Sequence, residues 1–162
     1  MAVAAPATLV LLRLHGAAQA EVPGGVPLPL RGRAALLVAL AALEPGGLAR
    51  ERAAALVWPE ANGPRQNLRQ QLLRFRQGLG TALLEGEATL QLAAGVQLVP
   101  AEPGAELLAG EEAGADEGGL WLQQRRELER AAQLQQLRAA SAVAEARGDG
   151  EEALLQDRKS VV

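Results

Sequence analysis

The stretch PRQNLRQQLLRFRQGL (Pro64–Leu79) carries two helical patterns at once. Leu68, Leu72, Phe75 and Leu79 recur at steps of four, three and four residues, a narrow apolar stripe along one side of an α-helix. Gln66, Arg69, Gln70, Arg74 and Gln77 fall on the opposite arc, with Arg65 and Arg76 at its margins. Pro64 suits the first turn, where its missing N–H would have no helical partner anyway. The spacing therefore predicts a helix seated on a Leu/Phe spine, with guanidinium and amide groups on its free side.

Working outward, RAALLVALAAL at 33–43 is apolar nearly all round and predicts a helix buried on most sides, ended by Pro45-Gly46-Gly47. Residues 49–58 predict a second helix, stopped by Pro59. Nearer the N-terminus, the apolar run 8–14, closed by Gly16, predicts a buried strand. Residues 17–22 and 26–30 flank Pro23-Gly24-Gly25 and predict a hairpin. Pro27 and Pro29 confine its second arm to a sheet edge. Beyond Gly80 the pattern becomes strand-like. Residues 82–84, a Glu85-Gly86-Glu87 turn and residues 88–92 predict a second hairpin, with 96–99 as its extension.

The C-terminal part reads differently. Residues 100–119 hold Pro100, Pro103, five glycines and six acidic residues without one base, which predicts an acidic linker rather than a core element. From residue 120 to about 147 the chain predicts a long helix, with Trp121, Leu122, Leu128, Leu134, Leu137 and Val143 as its main apolar residues. Gly148-Asp149-Gly150 should break it. Asp149 and Glu152 then stand as N-cap and N3 of a capping box that opens another helix, so an αα-hairpin is expected. The last six residues, 157–162, contain the only lysine, and one reverse translation of them spells the start of a sequencing-library adapter. They are expected to be a non-native tail, with the natural chain continuing beyond Gln156. The expected divisions are 8–99, an α+β domain; 100–119, the linker; 120–156, a partial helical domain; and 157–162, the tail. At the other end, Ala18-Gln19-Ala20 looks like a leader cleavage site, but no positive charge precedes the apolar stretch and Arg13 and His15 interrupt it. A strand is the better reading.

Composition narrows the function. The chain has 162 residues, 49% hydrophobic but 2% aromatic, so its core must be Leu, Ala and Val around Trp58, Phe75 and Trp121. Without cysteine there is no disulfide, thiol nucleophile or Cys-based metal site. A lone histidine, His15, argues against His-based metal sites and most acid–base catalysis. Neither Ser141 nor Ser160 has a histidine placed beside it by any motif, and the pairs Glu111-Glu112 and Glu151-Glu152 read as solvated carboxylates. No catalytic, cofactor or metal residue is assigned, and the chain is expected to be no enzyme. No apolar run reaches the ~18 residues of a membrane helix.

The formal net charge of −3 hides a split. Residues 1–100 carry nine Arg against six Glu, whereas residues 101–162 carry seven bases against thirteen acids. Between Ala61 and Leu84 stand Arg65, Arg69, Arg74 and Arg76 with no acid at all. A local cationic stretch matters more than overall charge when the partner is a polyanion. An α-helix fits the B-DNA major groove, where Arg can bond guanine bidentately and Gln can bond adenine, while marginal Arg neutralises phosphates.

Three stretches, PLPLRGRAALLVALAALEPGG (27–47), ARERAAALVWPE (49–60) and NLRQQLLRFRQGLG (67–80), resemble one bacterial family. Its members are transcriptional activators that join an OmpR/PhoB-type winged helix to a tetratricopeptide-like activation domain. WLQQRRELERAAQLQQLRAASAVAEARGDGEEALL (121–155) is similar to the opening helices of that second domain. The resemblance implies a four-stranded N-terminal sheet, a three-helix core and a C-terminal hairpin wing, with Pro64–Leu79 as recognition helix. It carries DNA contact over to Arg65, Asn67, Arg69, Gln70, Arg74 and Arg76, with Arg69 and Arg74 as the main readers of bases or phosphates; Gln66 joins them from the helix face. It also implies a cytoplasmic regulator bound to double-stranded DNA, whose helical part meets RNA polymerase or a sister subunit, without cofactor. The chain departs from the pattern at the wing turn, where Glu85 and Glu87 stand in place of bases, and in the short segment 58–67. The stretch between wing and Trp121 is shortened as well. With Asp only at 116, 149 and 157 and no receiver-like segment, kinship to phosphorelay proteins would be one of fold alone. The competing reading is a protein–protein adaptor that works through the C-terminal helices.

Overall fold

The computed structural model describes residues 8–160, with side chains from 8 to 148. It is a mixed α+β structure: among the described residues, four helices, the last of them long, and two sheets. Strand β1 (Val10–Arg13) buries Val10 and Leu12 and turns Arg13 to solvent, the two-residue alternation of a half-buried strand. It pairs antiparallel with β2 (Gln19–Glu21), and β2 with β3 (Leu28–Pro29). The turn between them contains Pro23-Gly24-Gly25, and β3 forms the sheet edge, where Pro29 needs no N–H to donate.

α1 (Gly32–Leu43) buries Ala35 and the whole run Leu37 to Ala41. A helix so apolar on every side has to be enclosed, and it packs on α2 (Arg50–Val57) and on β6 (Thr89–Leu92). Between α1 and α2 lies β4 (Leu48–Ala49), two residues too short to show any period. β4 and β5 (Leu84–Glu85) pair antiparallel with either side of β6, giving a three-stranded sheet. Gly47 makes this approach possible. Its φ is +86°, and a Cβ there would stand 2.3 Å from the Leu90 carbonyl oxygen.

Three expectations need correction. The 96–99 stretch does not extend the second hairpin. As β7 (Val96–Leu98) it runs parallel to β1, with Val10 opposite Val96 and Leu12 opposite Leu98. The four-stranded sheet, ordered β3-β2-β1-β7, thus takes only three strands from the N-terminal end. A parallel neighbour has to arrive by a long crossover, and here everything from β2 to β6, with the first three helices, lies between the two strands.

Residues 100–119 are irregular as expected, but they are more than a linker. Leu107 and Leu108 are fully buried members of the core. Gly16 N–H donates to the Glu106 carbonyl at 2.9 Å, and Leu108 N–H to that of Leu14 at 2.7 Å. Two adjacent leucines inside a polar, Gly-rich stretch are too brief a signal to override its composition. Leu108 accepts a left-handed φ of 48° to reach the core, a conformation that costs a non-glycine residue about 1–2 kcal/mol.

The third correction concerns the C-terminal helices. α4 (Glu117–Ser160) is one helix, and it runs through Gly148-Asp149-Gly150 without the expected αα-hairpin turn. Each glycine costs a helix only about 1 kcal/mol, less than nucleating a new one. The side chains of the expected capping box at Asp149 and Glu152 lie outside the described residues, as do residues 1–7 of the leader-like stretch and 161–162 of the tail. α4 starts at Glu117 rather than at 120 because the Asp116 carboxylate accepts the Gly119 N–H at 2.9 Å, as an N-cap does.

The chain forms two compact units, up to Gln124 and from Arg125 onward. In the first, one apolar cluster joins both sheets, the first three helices, Leu107, Leu108 and Leu122. No described polar side chain is buried within it. Trp58 belongs to it, and Trp121 packs against it while donating its Nε1–H to Glu44 at 2.6 Å. In the second unit, Leu128, Leu134, Leu137 and Val143 are exposed along α4. No helix is long and apolar enough to cross a membrane among the described residues.

Candidate nucleic-acid interface

α3 (Pro64–Leu79) is the helix the sequence singles out, with the bounds expected of it. Pro64 opens it, and Gly80, left-handed at φ 75°, closes it by donating its N–H to the Arg76 carbonyl at 2.8 Å. Leu68 and Phe75 are each 2% exposed, and Leu72 and Leu79 pack against the same core. The spine is real, so the free side of α3 is fixed in direction.

That side carries the candidates. Arg65, Gln66, Arg69, Gln70, Arg74 and Arg76 are all exposed, and Asn67 is half-buried. At about 100° per residue, Gln66, Gln70, Leu73 and Gln77 occupy the middle of the free face. Arg69 and Arg76 flank it on one edge, with Arg65 beyond them, and Arg74 flanks it on the other. Arg69, Arg74 and Arg76 form no ion pair with any described residue, so their guanidinium donors stay open to an outside partner. Arg65 differs: it is paired with Glu51 of α2.

The β5–β6 hairpin stands beside this helix. Arg50, the first residue of α2, donates its Nη1–H to the Gly86 carbonyl at 2.9 Å and its backbone N–H to that of Ala88 at the same distance. The turn is thereby tied to α2. Arg50, Glu51, Arg65, Leu68, Arg69 and Glu87 line an open cleft of about 380 Å³ between the hairpin and the two helices. Glu87 adds a second carboxylate to a wall that is otherwise cationic.

Two residues escape the sequence reading. Arg50 anchors the hairpin through a partner 36 positions away, which no local pattern reveals. Leu73 is 54% exposed in the middle of the polar face. The adjacent pair Leu72-Leu73 was its signal, since neighbours 100° apart cannot both lie on a narrow spine. Among the described residues no group of three or more His, Asp or Glu could hold a metal ion. No protein-family model, curated protein or solved structure matches this chain.

Proposed function

We propose that this chain is a sequence-specific DNA-binding transcriptional regulator that lays α3 in the major groove of a duplex. One observation carries the reading: three exposed arginines without a carboxylate partner, interleaved with glutamines, on a helix whose other side is locked into the core. Those groups match the acceptors of base edges and phosphates, and the fixed spine holds them in register. The α1–α2–α3 order followed by the tied β5–β6 hairpin supports a winged-helix arrangement of the OmpR/PhoB type, with that hairpin as wing. Exposed Glu85 and Glu87 make it a poor partner for phosphate, so α3 bears the contact. The later part of α4 would meet transcription machinery or a sister subunit.

The test is binding of the purified chain to duplexes selected from a random library, read by fluorescence anisotropy across a salt series. Three phosphate contacts predict that log affinity falls with log salt at a slope of roughly three. Arg69→Ala and Arg74→Ala should each weaken the selected duplex by about tenfold or more. Unchanged enrichment by both variants refutes the assignment of readers.

A protein–protein adaptor is the second reading, favoured by the exposed Leu128, Leu134, Leu137 and Val143. It predicts no salt-dependent retention of any duplex, even at low ionic strength.

A further inference from the structure

The free face of α3 is polar with one exception. Leu73 is 54% exposed, and the residues three and four positions away on either side are Arg69, Gln70, Arg76 and Gln77. On a helix surface those four are its immediate neighbours. An apolar side chain therefore stands alone inside a ring of two guanidiniums and two amides. It lies about 150° around the helix from the direction of Leu68 and Phe75, so it contributes nothing to the core.

When a helix lies in the major groove, the middle of its free face meets base edges and its flanks meet the sugar–phosphate walls. The floor of that groove offers one apolar group, the C5 methyl of thymine. The geometry points to Leu73 as a specificity-determining residue that packs on a thymine methyl and selects a T·A pair between the contacts of its polar neighbours. The inference rests on the duplex-binding reading above and names the base its central position takes.

Charge complementarity favours DNA over an apolar protein surface as the occupant. Arg69 and Arg76 flank Leu73 and have no described ion-pair partner, and no acid occurs between Ala61 and Leu84. An apolar protein patch pressed onto Leu73 would strip water from both guanidiniums without replacing it. Duplex DNA supplies phosphates and base acceptors to the ring while its methyl group meets the centre.

The experiment uses the full chain and a duplex selected from a random library. Each thymine of the selected site is replaced in turn by deoxyuridine, which removes the methyl group and leaves every hydrogen-bonding group in place. Wild type should lose about fourfold in affinity at one position, the worth of one methyl group taken out of water. Leu73→Ala should bind the all-thymine site several-fold more weakly and be indifferent to deoxyuridine at that same position. Because Leu73 is exposed, the variant should keep the wild-type thermal midpoint, and that is measured alongside.

If wild type binds tightly but no thymine responds, or if Leu73→Ala keeps the full response, thymine reading is overturned while duplex binding stands. If Leu73→Ala instead abolishes self-association and leaves duplex affinity untouched, Leu73 belongs to a protein interface and the inference fails. If wild type enriches no duplex at all, the functional reading fails first and takes this one with it.

Discussion

Glu51 withholds one of the four arginines of α3 from any outside partner. Its carboxylate pairs with Arg65, and both side chains are largely exposed, at 77% and 70%. Such a pair adds little to stability, typically below about 1 kcal/mol. Its effect on a polyanion is larger, because the pair carries no net charge where a free Arg65 would carry one. Glu51→Gln should therefore raise duplex affinity about two- to tenfold and steepen the salt slope by about one, with an unchanged thermal midpoint. An affinity equal to wild type across the salt series would count against Arg65 as a phosphate contact. The exposure of Arg65, Arg69, Arg74 and Arg76 was legible from helical spacing, whereas the Glu51 pairing was not. Spacing within one helix says which side a residue takes, but not what the preceding helix sets against it.

The elements divide along the same line. Helices α1 to α3 were legible almost to their ends, because Pro45-Gly46-Gly47, Pro59, Pro64 and Gly80 punctuate them and their apolar residues are periodic. The short strands were not. β4 has two residues, and β7 pairs with a strand at the other end of the domain, a choice made by tertiary packing rather than by any local signal. The β5–β6 hairpin lies between these cases: its turn was legible, its dependence on Gly86 was not. Gly86 has φ 121°, and a Cβ there would stand 1.8 Å from the Thr89 carbonyl oxygen. Gly86→Ala should thus displace the turn and cost about 2–4 kcal/mol, measured by denaturant unfolding. A midpoint equal to wild type would show that the turn is not held in this conformation.

For the molecule as a whole, sequence composition misjudged where the first unit ends. Residues 100–119 look like solvated tether, yet Leu107 and Leu108 complete the core, and the start of α4 adds Leu122. Leu107→Ala should cost about 2–5 kcal/mol, as truncation of a fully buried leucine does. Leu137→Ala, at a side chain 67% exposed on α4, should stay within about 0.5 kcal/mol. Thermal or denaturant unfolding separates the two, and equal midpoints would return 100–119 to the status of a tether. The parallel pairing of β1 with β7 has one more consequence, for birth of the chain on the ribosome. Val10 meets its neighbour only when Val96, about 86 residues later, has emerged. All three helices of the crossover are translated before that sheet can close. During that interval β1 keeps one edge unsatisfied and open to other nascent chains, so slow translation through the helical stretch should favour aggregation over productive folding.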